Sequence, residues 1–362
     1  MTTNPSIACG KNHSVVSLSN GTVQCWGDNN ASQRSNVSNV IQTVYNWFCS
    51  IVLFFNNTIE HTPVHDHFVF TSVIQIACGS FHSVALLSDG TVQCWGDNKA
   101  NQCDPLHLTF IDVVQIACGY NHSVALLSNG IVRCWGTNRW NQCDPVHLTF
   151  TKVIQVACGA IHSVVLLSNG TVRCWGNNDW NQCDPVHLSF TNVIQVVCCY
   201  CNSVALLANG TVRCWGANGW NQCDPVHLTF TDVIQVACGS FHSVALLSNG
   251  TIRCWGDNRT DQCDPVHLTF TDVIQVACGN LHSVVLLSDG TVKCWGNKVW
   301  DACNPLCSTF TNVVQVVCGS HHSVALISDG TVRCWGSNDH NQCDPIHLTI
   351  TNIQLPNNVC LW

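Results

Sequence analysis

Apolar residues in this chain come in short runs that are apolar on both alternating faces. Val-Ile-Gln-Val-Ala-Cys at 153–158, His-Ser-Val-Val-Leu-Leu at 162–167 and Thr-Val-Arg-Cys-Trp at 171–175 are representative. Such runs are too short and too rich in Val and Ile for helices, and they read as strands buried on both sides. Between the second and third runs stands Asn169-Gly170, which predicts a two-residue hairpin turn with positive φ at both residues. After an Asn-rich loop, Asp184-Pro185 sets a further turn and residues 186–190 form a fourth strand.

This four-strand pattern returns every forty residues without slippage, with Cys78, Cys118, Cys158, Cys198, Cys238, Cys278 and Cys318 marking seven copies. Residues 7–39 hold a shorter copy and residues 40–71 a decayed one that lacks the Cys-Trp-Gly phrase. A four-stranded antiparallel unit of this length predicts an all-β chain, a single β-propeller of four-stranded blades in which each blade packs between two neighbours. The expected organisation is one domain over residues 1–362: two aberrant repeats in 7–71, seven regular repeats in 72–350, and a closing strand and tail in 351–362. That leaves seven to nine blades open, with a linear solenoid as the alternative architecture.

Composition narrows the functional classes. The chain is 46% hydrophobic, enough for a sizeable core, yet only 9% charged, and its formal net charge is −8 with no run of Lys or Arg. Phosphate neutralisation supplies most nucleic-acid affinity, so direct nucleic-acid binding is not expected. The longest strongly apolar run, residues 50–55, is too short to span a bilayer, and no membrane association is expected. Twenty-eight cysteines are expected to be free thiols, because Cys118 and Cys134 lie on strands separated by a third, beyond bridging distance. Free cysteine in that number predicts an intracellular chain, cytoplasmic or nuclear.

Three residue types recur where chemistry could reside. Trp95, Trp135 and their equivalents beside Gly read as packing anchors between blades. Histidines such as His82 and His122 open the second strand without any carboxylate at fixed spacing, so they read as structural hydrogen-bond partners rather than bases. The glutamines Gln75, Gln115 and Gln155 read likewise, or alternatively as a ring lining the channel. Each regular unit also carries Cys-X8-Cys-X3-His, as in Cys134, Cys143 and His147, with Cys307 in place of the last His in one copy. Zinc ligands are usually paired at closer spacing, so no metal is expected. No catalytic triad or phosphate loop stands out, so no catalytic residue and no cofactor are predicted.

The phrases Val-Ala-Cys-Gly-Ser-Phe-His-Ser-Val-Ala-Leu-Leu-Ser-Asn-Gly at 236–250, Cys-Trp-Gly-Asp-Asn at 254–258 and Asn-Gln-Cys at 141–143 resemble repeats of the regulator of chromosome condensation family. The resemblance runs from residue 7 to about 354 and implies a propeller, most often seven-bladed. It implies function loosely, since members include an exchange factor for a nuclear small GTPase, domains of HECT-type ubiquitin ligases, a plant ultraviolet-B photoreceptor and a bacterial β-lactamase inhibitor. This chain has Asn141 or Asn181 where the family has Gly before Gln, and no long insertion in 73–350 to act as an exchange wedge. No Trp occupies the Gly-X-X-His loop, which argues against light sensing.

Comparing the copies with one another locates a candidate surface. Strands and turns barely change, while the pair inside Cys-Gly-X-X-His and the pair before Asn-Gln-Cys vary. In a four-stranded meander these two connections share one rim. The expected partner-binding residues are Phe81, Tyr120, Tyr200, Phe241 and His321 from the first loop, and Arg139, Trp140, Asp179, Trp180, Trp220, Arg259, Trp300 and His340 from the second. Trp, Tyr and Arg are enriched in binding hot spots. The predicted function is therefore a non-enzymatic scaffold for a protein partner, a small GTPase among the candidates. The alternatives are an exchange-factor-like regulator of a small GTPase, or a lectin-like ligand binder using the same Trp residues.

Overall fold

The structure is a computed structural model that describes residues 6–17, 23–27, 73–103, 110–143, 150, 152–183, 190–223, 230–263, 269–298, 302–303, 309–329, 331–339 and 343. Among them lie 24 strands in eight sheets, each a three-stranded antiparallel meander in chain order. The sheets are numbered here as blades 1 to 8, spanning 6–27, 73–96, 113–136, 153–176, 193–216, 233–256, 273–296 and 313–336. Blade 3 is typical, with strands Val113–Cys118, His122–Leu127 and Val132–Gly136. The predicted fourth strand, the decayed copy at 40–71 and the closing strand at 351–362 lie outside the described residues.

The eight sheets form a closed ring. First strands of successive blades pack on one another, and the first strand of blade 1 packs on those of blades 2 and 8. The backbone N–H of Ile7 donates to Gln315 Oε1 at 3.2 Å, and His13 Nε2 lies 3.0 Å from Ser83 Oγ. Blades 1 and 2 therefore touch directly although 45 residues separate them in sequence, from Gly27 to Val73. The described ring holds eight blades, within the expected range of seven to nine.

Both faces of each sheet are covered, as the doubly apolar strands require. Val84, Leu86 and Val92 of blade 2 pack against Val113, Ile116, Ala125 and Trp135 of blade 3. The next layer joins Val124, Leu126 and Val132 to Val153, Val156, Val165 and Trp175. Adjacent residues of a second strand, such as Val124 and Ala125, thus serve opposite layers, and both are fully buried. Trp Nε1 donates across the same boundary: Trp135 to the Gln102 carbonyl at 2.8 Å and Trp175 to that of Gln142 at 2.7 Å. These two indoles therefore join neighbouring blades both by area and by a satisfied polar group.

The first strands hold a feature that alternation alone does not reveal. In blade 3 Val113 pairs with Leu127 but Gln115 pairs with Leu126, a bulge that recurs in blades 2 to 8. The extra residue turns outward, so Ile74, Val114, Ile154, Ile194, Ile234 and Ile274 are 48–58% exposed rather than buried on both faces as expected. The bulge also aims Gln at the neighbouring blade. Gln155 donates to the Val196 carbonyl at 3.0 Å and accepts from its N–H at 2.9 Å. Gln275 does the same with Val316. These glutamines bond first strand to first strand, the structural role expected of them.

The Asn-Gly turn also differs from expectation. Leu127 N donates to Ile131 O and Gly130 N to Leu127 O, each at 2.8 Å, which makes a three-residue loop of Ser128, Asn129 and Gly130. Gly130 has a positive φ of 79° while Asn129 does not. This is the right-handed turn followed by a left-handed glycine typical of three-residue hairpins. Crowding reinforces the choice: a β-carbon on Gly90 would lie 2.8 Å from Asp112 N.

Candidate functional site

Both variable loops emerge at the same end of the blades. Asp97 N donates to Phe81 O at 2.8 Å, and Thr137 N to Asn121 O at 2.8 Å, so the loop after the third strand begins against the loop after the first. The three-residue turns lie at the opposite end. The expected common rim is present.

At its inner edge the rim is built from backbone. Tyr120 N donates to Ala160 O at 3.1 Å, Ala160 N to Tyr200 O at 3.0 Å and Asn280 N to Ser320 O at 3.0 Å, so successive loops are laced around the axis. They surround a cavity of about 230 Å³ whose wall includes a Cys and its neighbours from every blade. The predicted aromatics pair off between neighbouring blades: Phe81 sits edge-on to Tyr120 with centroids 4.9 Å apart, and Tyr200 lies 6.3 Å from Phe241. Lys11 stands over Phe81 at 5.6 Å. Phe81, Tyr120, Phe241 and His321 are half-buried, and Tyr200 is exposed. Burial, followed by the nearby Lys11 charge, lowers the His321 pKa.

Beneath them runs a belt of side chains. His82 Nε2 meets Ser123 Oγ at 2.6 Å, and the same contact recurs from His13, His122, His162, His242, His282 and His322 to the serine of the next blade. Burial pushes these imidazoles down, to about 3 for His82, His162, His282 and His322 and about 4 for His122 and His242. They stay neutral at physiological pH and serve as the structural partners expected. Blade 5 carries Asn202 instead, and its buried Nδ2 finds no partner among the described residues.

The outer edge belongs to the loop after the third strand, whose fixed letters build it. Asn138 Oδ1 accepts from Cys143 N at 2.8 Å, Gln142 Oε1 accepts from Trp140 N at 2.7 Å, and Asn141 takes φ 59°. Asn tolerates that left-handed conformation better than most residues. The variable pair is left at the tip. Trp140, Trp180 and Trp220 are 40%, 59% and 40% exposed on three consecutive blades. Arg139 lies 5.6 Å above Trp140, and the Arg259 guanidinium of blade 6 stacks 3.6 Å over Trp220. Asp257 holds that guanidinium through two 2.9 Å hydrogen bonds. Asp179 accepts from Asn177 Nδ2 at 2.7 Å.

The structure thus brings Trp140, Trp180, Trp220, Arg139, Asp179 and Arg259 onto one arc. It places Phe81, Tyr120, Tyr200, Phe241 and His321 inside that arc, around the mouth of the cavity. Trp300 and His340 lie outside the described residues. Asp257 was not anticipated; its signal is that only its copy and two others carry Asp immediately after Trp-Gly among the regular repeats and the first. Among the described residues no three His, Cys, Asp or Glu side chains converge to hold a metal. One expectation fails here: Cys254 and Cys263 are joined in a disulfide.

The profile of the Regulator of chromosome condensation (RCC1) repeat matches residues 6–33, 73–102, 113–142, 153–182, 233–262, 273–297 and 313–342, more than half of the chain. The human X-linked retinitis pigmentosa GTPase regulator is 34% identical over 98 residues, 26% of this chain, so the match spans only 8% of that protein's length. Among solved structures, human WBSCR16 superposes with a TM-score of 0.58 at 21% identity, covering 91% of this chain and 99% of that one. Prp20p from Saccharomyces cerevisiae, a protein studied for its binding to Gsp1p and histones, gives 0.53 at 22% identity over 70% of this chain and 82% of its own. At such identities the superpositions speak for the fold.

Proposed function

The chain belongs to the regulator of chromosome condensation repeat family, and on that footing we propose that it is a non-enzymatic docking propeller holding a protein partner on the rim that bears Trp140, Trp180 and Trp220. The observation that carries the reading is the exposure of three indoles on three consecutive blades, at tips where packing does not require them. Large exposed aromatics beside Arg side chains are the composition of binding hot spots. Arg139 and Arg259 each lie over one of these rings, which holds the ring in place and lowers the entropic cost of engaging it.

A small GTPase is the first partner class to test. One relative is named as a GTPase regulator and one structural neighbour was studied with Gsp1p. The experiment measures binding of the chain to immobilised small GTPases, in nucleotide-free and nucleotide-loaded form, and in parallel to a glycan array. Replacing Trp140, Trp180 and Trp220 together with Ala should weaken GTPase binding at least about 30-fold, the equivalent of losing one strong hot spot of about 2 kcal/mol. Replacing the exposed Ile154, Ile194 and Ile234 with Asn, towards the opposite end of the blades from the rim, should leave it unchanged. Binding that survives loss of the three indoles, or capture of glycans alone, would overturn the proposal.

A further inference from the structure

Sulfur atoms meet in pairs at the outer edge of the blades. Cys94 and Cys103 lie 2.7 Å apart and Cys174 and Cys183 2.9 Å apart, sulfur to sulfur. The Cys134 and Cys143 thiols are also in contact, as are those of Cys214 and Cys223, and Cys254 is bonded to Cys263 with 5.2 Å between Cα atoms. That Cα separation falls in the range that bridges without backbone movement. The expectation of free thiols rested on the gap between first and third strands, which leaves these pairs untouched.

Local backbone explains why residues nine apart meet. The third strand ends at Gly136 with φ 103° and the loop passes through Asn141 at φ 59°. Asn138 Oδ1 then fixes Cys143 N at 2.8 Å. The loop returns on the strand it left, and the Cys134 thiol comes within 3.2 Å of the Gln142 carbonyl. Cysteines of the first strands are placed differently. Cys118 Sγ lies 3.4 Å from Ser123 Oγ, and the second strand separates it from Cys134, since Val124 pairs with both Ala117 and Cys134.

We infer that the Cys-X8-Cys pairs of blades 2 to 5, from Cys94–Cys103 to Cys214–Cys223, are thiol–disulfide exchange sites that take a small disulfide such as glutathione disulfide as their oxidant. The loop cysteine, as thiolate, attacks one sulfur of glutathione disulfide, forming a mixed disulfide and releasing one glutathione thiolate. The strand cysteine then attacks the protein sulfur of that mixed disulfide, the intramolecular bridge forms, and the second glutathione leaves. Each pair loses two protons and two electrons, and glutathione disulfide becomes two glutathiones. Burial raises the strand thiols Cys134, Cys174 and Cys214 well above the ordinary cysteine range, so they are poorly suited to open the exchange.

The bridge closes a loop whose tip carries the variable pair, so oxidation should stiffen residues 137–142. The first copy provides an internal control, because Arg34 stands where the partner of Cys25 would be. The test equilibrates the full chain with an excess of glutathione disulfide, quenches with acid, alkylates the remaining thiols and maps the peptides without reductant. Expected are linkages within blades, Cys94 to Cys103 and Cys134 to Cys143 among them, with Cys25, Cys118 and Cys158 alkylated. Chymotryptic cleavage after Trp140 should slow at least threefold on oxidation. In Cys143→Ser that protection should disappear at Trp140 while persisting at Trp180. Fully alkylated pairs, linkages formed first among first-strand cysteines, or cleavage after Trp140 indifferent to oxidation would each overturn the inference. None of these readouts depends on a partner, so they stand apart from the docking proposal.

Discussion

Blade 3 has Gly119 and His122; blade 5 has Cys199 and Asn202 at the same two places. A β-carbon on Gly119 would lie 2.2 Å from His122 Cε1 and 2.4 Å from the Gly159 carbonyl of blade 4, so a side chain at 119 is opposed by the imidazole and by the neighbouring loop. Asn is shorter, and in blade 5 it leaves room for the Cys199 side chain, which reaches the Cys238 thiol of blade 6. The exchange has a cost. His122 bonds through Nε2 to Ser163 at 2.9 Å, whereas Asn202 Nδ2 makes no such bond and, like His122 Nδ1, is buried without a partner among the described residues. The two positions therefore behave as one unit, and residues 193–222 are the one regular repeat that the family profile does not match.

The largest test of the histidine belt is acid. These imidazoles have folded pKa values of about 3 to 4, against about 6.5 in the unfolded chain. The unfolded state binds more protons below pH 6.5, so the stabilisation is complete above that pH and is lost as pH falls towards 4. Each histidine contributes roughly 1 kcal/mol per pH unit. Seven links acting together should unfold the propeller between about pH 6 and 4. Urea midpoints measured from pH 7.5 to 5 check this, and a flat profile would remove the belt from the account. His122→Asn, which makes blade 3 resemble blade 5, should lessen the acid slope by about one proton.

Swapping the paired residues gives a smaller effect, with a sign that depends on context. Gly119→Cys with His122 retained should destabilise by about 3 kcal/mol through overpacking and loss of the Ser163 bond. Gly119→Cys with His122→Asn should recover more than 1 kcal/mol of that, a coupling readable in a double-mutant cycle. Conversely, Asn202→His should be harmful alone and favourable beside Cys199→Gly. Additive single and double effects would show that the two positions are not a unit.

Much of this was legible in the sequence because the chain repeats itself. The forty-residue period and doubly apolar strands point to packed blades, and variation among copies locates the tips at Trp140, Trp180 and Trp220. Other features depend on how the chain crosses itself in space. The bulge that exposes Ile154 leaves its run of apolar letters unchanged. Whether Asn-Gly closes a two- or three-residue loop depends on Ser128 joining the turn, which the letters Asn129-Gly130 do not reveal. The stack of Arg259 on Trp220 joins residues 39 apart in neighbouring blades, and Cys134 meets Cys143 only because Gly136 and Asn141 bend the loop through positive φ.

The smallest effect tests whether local backbone preference operates blade by blade. Immediately before the first strand the chain adopts positive φ at Asp112, Lys152, Asn192, Asp232, Asp272 and Asn312, with Lys152 at 62°. Five of these six residues are Asn or Asp, whose short polar side chains tolerate the left-handed region. Lys gains nothing from that tolerance, yet its carbonyl must still accept the Ser168 N–H at 2.9 Å, which ties the start of the first strand of blade 4 to that blade's own turn. Lys152→Asn should therefore stabilise by roughly 0.5 kcal/mol, and Asp112→Lys should destabilise by a similar amount, about half of the 1–2 kcal/mol general cost of the left-handed conformation. Paired denaturant titrations resolve the difference. If both substitutions shift the midpoint in the same direction, side-chain contacts rather than backbone conformation decide the residue at this position.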